Sequence, residues 1–87
     1  MRTSKKEVRK LQTIAKNLTK TLAKELEYYE KQLERISRQK EKTKKGSRKF
    51  WRLTDKSWKA YKKVVFTRGL IKDLHNVIRA AELYLNE

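Results

Sequence analysis

The sequence predicts an all-α fold in which two long helices form an antiparallel hairpin with coiled-coil-like packing. Apolar residues recur at steps of three and four through most of the chain, which is helical spacing. Proline is absent from the 87 residues and glycine occurs twice, so little interrupts a helix. The two periodic segments are nearly equal in length, which favours side-by-side packing across a short connection. We expect residues 1–87 to form a single helical domain.

The first helix is predicted over about residues 4–40. Ser4 followed by Glu7 has the form of a capping box, in which the serine oxygen accepts a hydrogen bond from a backbone N–H of the first turn. The apolar stripe of this helix consists of Val8, Leu11, Ala15, Leu18, Leu22, Leu26, Tyr29, Leu33 and Ile36.

The second helix is predicted over about residues 47–86, after a basic connection at about 41–46. Gly46 can adopt the left-handed conformation that ends a helix, and Ser47 can cap the next one. The second stripe consists of Trp51, Thr54, Trp58, Tyr61, Val64 or Val65, Ile71, Leu74, Ile78, Ala81 and Leu85. Gly69 interrupts this pattern, so the residues allow either one continuous helix or a break near that glycine.

The expected core of the hairpin is a single seam on which Leu22, Tyr29, Ile71 and Leu74 close against one another. Two helices bury only one face each, and the chain has no cysteine for a disulfide. A third helix from elsewhere or self-association into a homodimer would add to such a core.

Positive charge dominates the sequence. Lysine and arginine number 25 against 10 aspartates and glutamates, which gives a net charge of +15. Residues 34–63 carry thirteen basic and three acidic groups, whereas residues 64–87 carry three of each. This concentration in the middle of the chain predicts an acidic partner.

Residues with catalytic or metal-binding chemistry are scarce. His75 is the only histidine, cysteine is absent and there is no glycine-rich phosphate loop, so we expect no enzyme activity, metal site or cofactor. The longest apolar run, Val64 to Phe66, falls far short of the ~20 residues that a membrane span needs. The sequence therefore predicts a protein that acts by binding, without a membrane segment.

Aromatic and basic residues alternate at the predicted start of the second helix. The tightest group consists of Arg48, Lys49, Phe50, Trp51 and Arg52. Cations there can neutralise phosphates while Trp51 or Phe50 stacks on a base. A nucleic-acid-binding helical hairpin that uses residues 35–63 is one hypothesis for the function.

Two other segments resemble tubulin-binding cofactor A, a small chaperone of tubulin folding. The first is similar to that family's first-helix signature and contains Leu22, Lys24, Glu25, Tyr28, Tyr29 and Leu33. The second, residues 67–85, resembles the later part of the family's second long helix. Together the segments cover about half of the chain.

This resemblance implies a cytoplasmic, cytoskeleton-associated protein that binds and holds β-tubulin through helix surfaces. The positions that match the family pattern and would contact tubulin are Lys24, Glu25, Tyr28, Arg68, Asp73 and Arg79. Three departures stand against the family pattern: a proline expected near Lys72 is missing, the connection is longer and more basic, and the third helix is lacking.

Overall fold

The computed structural model describes residues 4–87, which form two long antiparallel helices. Helix α1 spans Lys5–Glu41 and helix α2 spans Arg48–Leu85. The two helices pack along their length into a body of 60 × 20 × 14 Å. The predicted antiparallel hairpin is confirmed, and each predicted helix end differs from the observed one by one residue.

Both helices begin at a serine cap. The Oγ of Ser4 accepts a hydrogen bond from the backbone N–H of Glu7 at 3.2 Å. The Oγ of Ser47 accepts one from Phe50 N–H, also at 3.2 Å. Such caps satisfy backbone donors that have no partner within the helix, and each typically stabilises a helix by ~1 kcal/mol. The two predicted N-caps are confirmed.

The connection between the helices lies between Glu41 and Arg48 and includes a left-handed glycine. Helix α1 ends before Lys42, whose φ of −84° is right-handed, and Thr43 N–H donates to the carbonyl of Lys40 at 3.1 Å. Gly46 has a φ of +85°, a region open to glycine, but it lies four residues later and precedes the cap of α2. The left-handed conformation expected of Gly46 is therefore observed, and this glycine directs the chain into α2.

The seam between the helices follows an unbroken alternation of three- and four-residue steps. On α1 it is formed by Val8, Gln12, Ala15, Thr19, Leu22, Leu26, Tyr29, Leu33 and Ile36. On α2 it is formed by Phe50, Leu53, Ser57, Ala60, Val64, Thr67, Ile71, Leu74, Ile78, Ala81 and Leu85. All of these residues are buried or half-buried, and their spacing is that of a coiled coil.

On α1 the observed seam departs from the predicted stripe near the start of the helix. Leu11 and Leu18 were predicted to face α2, yet their side chains are 52% and 45% exposed. Gln12 and Thr19 are half-buried in their place. The Thr19 hydroxyl donates to the carbonyl of Ala15 at 2.8 Å, so the seam accepts this polar group at little cost.

In the first half of α2 the buried residues differ from the predicted stripe. Trp58 and Tyr61, predicted to be core, are 58% and 50% exposed, whereas Leu53 is buried. Helix α2 is continuous through Gly69, so a single phase must serve its whole length. Trp58 and Tyr61 are in helical phase with Val65, whereas Ile71 and Leu74 are in phase with Val64. One unbroken helix cannot turn both sets toward α1, so the set that contains Val64 is buried and the aromatic residues are exposed.

The core is made largely of small side chains. Ala15, Ala60, Val64 and Thr67 are among its most buried members, and in residues 4–87 no large side chain is completely buried. Small residues let the helices approach closely, but each removes little apolar surface from water. Neither described helix is apolar enough along its length to cross a membrane.

Candidate functional site

A groove crosses from α1 to α2 in the half of the hairpin nearest the connection. It has a volume of about 370 Å³. Its walls are formed by Gln32, Arg35, Ile36, Gln39, Lys56, Lys59, Ala60 and Lys63. Four of these side chains are cationic, and none of the described residues that line the groove is acidic. We call this site the basic groove.

The cations of the basic groove are oriented by their neighbours but remain accessible. Lys63 Nζ lies 5.3 Å from the centre of the Tyr29 ring, which favours a cation at that position. Lys59 Nζ lies 3.3 Å from Asp55 Oδ2, and both side chains are mostly exposed. Such a pair contributes little in water, so Lys59 can still meet an external anion.

A second depression, of about 500 Å³, continues the basic groove toward the start of α2. It shares Lys56 and Lys59 with the groove and is otherwise lined by Arg48, Trp51, Arg52 and Asp55. Trp51 is 61% exposed. Its ring meets Phe50 edge to face at 5.5 Å, so most of the indole surface stays open for stacking.

Phe50 has a different environment from the neighbouring tryptophan. It is half-buried at the end of the seam, and Lys40 Nζ lies 4.9 Å from the centre of its ring. With one side occupied by Trp51 and another by Lys40, the ring packs the end of the hairpin. Of the two stacking candidates from the sequence, the geometry favours Trp51.

The predicted basic site is only partly gathered in the structure. Arg48, Trp51 and Arg52 line the second depression together, while Lys49 is exposed and lines neither depression. The range 35–63 includes Arg35 and the end of α1, but the sequence does not indicate which cations of that range converge. The local sequence cannot show which residues of α1 lie opposite Lys56 and Lys63, because that depends on the register between the two helices.

The residues that match the cofactor A pattern lie on the surface and do not form one cluster. Lys24, Glu25, Tyr28, Arg68, Asp73 and Arg79 are all exposed. The two matching segments nevertheless face each other, since Arg68 Nη2 lies 3.6 Å from Glu30 Oε1 across the helix pair. The hydroxyl of Tyr28 accepts a hydrogen bond from Gln32 Nε2 at 2.9 Å, which places it beside the basic groove.

Comparison with known proteins adds no assignment. No family model, curated protein or solved structure matches this chain. The resemblance to cofactor A stays a prediction from the sequence. In residues 4–87, histidine and acidic side chains form no group of three that could hold a metal ion.

Proposed function

We propose that this protein binds nucleic acid by holding the phosphate backbone in the basic groove. The observation that carries the proposal is the convergence of Arg35, Lys56, Lys59 and Lys63 from two helices on one groove. Each phosphate neutralised there releases condensed counterions, which drives binding and makes it sensitive to salt. No chemical step is part of this function.

The length of the basic surface suits a short stretch of backbone. From Arg48 to Lys63, α2 rises about 22 Å at ~1.5 Å per residue, the length of about six phosphates along one duplex strand. Trp51 lies at one end of this surface, where its exposed ring can stack on a base. Bases inside a duplex are already stacked, so we expect single strands to bind more tightly than duplexes.

A pair of charge-matched variants tests the groove. The groove variant carries Arg35→Gln, Lys56→Gln and Lys63→Gln; the control carries Lys10→Gln, Lys16→Gln and Lys20→Gln, three exposed sites on the first half of α1. Both lose three charges, and glutamine is a good helix former. We expect the groove variant to lose about tenfold or more in affinity for an oligonucleotide, and its log–log salt slope to fall by about two units.

The control should stay within about threefold of the parent, because its lysines lie away from the groove. Fluorescence anisotropy across a salt series measures both quantities. Equal losses in the two variants would show that net charge alone governs binding, and the groove would then have no role. Absence of binding by the parent at moderate salt would remove the nucleic-acid proposal.

β-Tubulin is a second candidate partner, supported by one observation. The two segments that resemble cofactor A lie against each other and are joined by the Arg68 and Glu30 pair. Under this alternative, Lys24→Gln with Arg79→Gln removes two exposed cations that match the family pattern and should weaken retention of β-tubulin. Oligonucleotide affinity should stay within about threefold of the parent, since neither side chain lines the basic groove. A column pull-down with purified β-tubulin at moderate salt decides it: if the parent does not retain tubulin, this candidate fails.

A further inference from the structure

The broad face that holds the basic groove continues toward the open end of the hairpin, where α1 begins and α2 ends. Because the seam keeps an unbroken heptad spacing, residues separated by multiples of seven lie on the same side of a helix. On α1, Leu11 and Leu18 are whole heptads from the groove residues Gln32 and Gln39, and Ile14 is three heptads from Arg35. These three apolar side chains therefore lie on the groove's own face.

The same relation holds on α2. Phe66 follows the groove residue Lys59 by one heptad, and Leu70 and Val77 follow Lys63 by one and two. We call the six side chains the apolar half-face: Leu11, Ile14, Leu18, Phe66, Leu70 and Val77. Five of them are exposed and Leu70 is half-buried, so they form one apolar surface on the open half of the hairpin.

At this end of the molecule the small side chains are buried and the large apolar ones are exposed. The seam there buries Ala15 and Ala81 and half-buries Thr19, while Ile14 is 62% exposed and Leu11 and Leu18 are about half exposed. Exposed apolar surface of this extent usually marks an interaction site. The 3–4 spacing of Leu11, Ile14 and Leu18 is that of a second helical seam.

We propose that a second copy of this chain covers the apolar half-face, and that the two hairpins overlap only at their open halves in a twofold-symmetric four-helix bundle. The distribution of charge favours this geometry over a parallel, fully overlapped dimer. Residues 34–63 carry a net +10, so a dimer stacked along its full length in parallel would bring two such regions together. Overlap at the open halves puts these two regions at opposite ends of the assembly. It brings together only residues 1–33, with a net charge of +5, and residues 64–87, with none.

The available area is sufficient for a specific interface. Half of a 60 × 20 Å face is roughly 600 Å² per copy, and about 1,200 Å² for two copies is the lower limit of standard interfaces. We therefore expect a dimer that forms with rising concentration. The assembly would be about 90 Å long, since two 60 Å hairpins overlap by half, and it would present one basic groove at each end.

Sedimentation equilibrium from micromolar to submillimolar concentration tests the dimer. The parent should move from 10.5 kDa toward twice that mass. The variant Leu11→Gln with Leu18→Gln should stay monomeric, with unchanged helicity because both positions are exposed. The matched control, Val65→Gln with Leu83→Gln, removes two exposed apolar side chains outside the half-face and should dimerise like the parent.

Three outcomes would overturn the proposal: a parent that stays monomeric throughout, equal association of both variants, or a dimer only about 60 Å long by solution scattering. The dimer and the proposed function fail separately. The groove variant with Arg35→Gln, Lys56→Gln and Lys63→Gln should still dimerise, and the monomeric variant should still bind a short oligonucleotide that fills one groove.

Discussion

The two halves of this hairpin share one helical architecture, but the surface is cationic in one half and apolar in the other. Near the connection, one broad face carries Arg35, Lys56, Lys59 and Lys63 around a groove. Near the open end, whole heptads away on the same face, six of the corresponding positions are leucine, isoleucine, valine or phenylalanine. A single coiled-coil frame thus supports two different surfaces, because the seam fixes the fold and leaves the flanking positions free to vary.

The largest expected effect is a difference in thermal stability between a charge placed in the seam and the same charge placed on the apolar half-face. Leu22→Asp puts a carboxylate at a buried seam position, where an unpaired charge costs several kcal/mol, so the cooperative thermal transition should be lost. Leu18→Asp, four residues away on the exposed face, should retain the parent's helicity at low micromolar concentration. Circular dichroism melting checks both, and similar melts for the two variants would mean that the seam is misplaced.

The two glycines give a smaller contrast between the halves. Gly46→Ala should destabilise by about 1–2 kcal/mol, since the φ of +85° disfavours any side chain. Gly69→Ala should stabilise by about 0.4–1 kcal/mol, because α2 is helical there and the described residues leave 4 Å around an added Cβ empty. Urea unfolding measures both. A Gly69→Ala variant less stable than the parent would indicate that α2 bends at this glycine.

The smallest expected effect comes from repulsion within the basic groove. Raising the salt concentration from about 20 to 200 mM should stabilise the parent by a few tenths of a kcal/mol, up to about 1, by screening the converging cations. The groove variant Arg35→Gln, Lys56→Gln and Lys63→Gln should lose most of this dependence. The control with Lys10→Gln, Lys16→Gln and Lys20→Gln should lose less of it. If salt affects both variants alike, the repulsion is spread over the whole chain and not concentrated in the groove.

Local features of the fold were predictable from the sequence. Ser4 and Ser47 cap helices because a serine side chain can satisfy backbone N–H groups only a few residues away. The 3–4 rhythm of Ile71, Leu74 and Ile78 is likewise a local property. Each of these depends on neighbours in the chain, so no knowledge of the other helix was needed.

Features that depend on the partner helix were not predictable. The predicted stripe of α2 included Trp58 and Tyr61 because they are large and apolar. The buried positions are instead Leu53 and Ala60, which are in helical phase with Ile71. The cationic wall at Arg35 could be placed against Lys63 only once the register of the two helices was known. The positive charge of the site could be predicted from the sequence, but the groove that its cations form between the two helices could not.

The small side chains of the seam have a consequence for how the register is set. Ala15, Ala60 and Ala81 form shallow knobs, which resist sliding of one helix along the other less than interlocking leucines would. A slip of one heptad would carry α2 about 10 Å along α1 and separate Arg35 from Lys63. The short turn through Gly46, closed by the Ser47 cap, opposes that slip. A segment outside both helices therefore helps to keep Arg35 and Lys63 on the same basic groove.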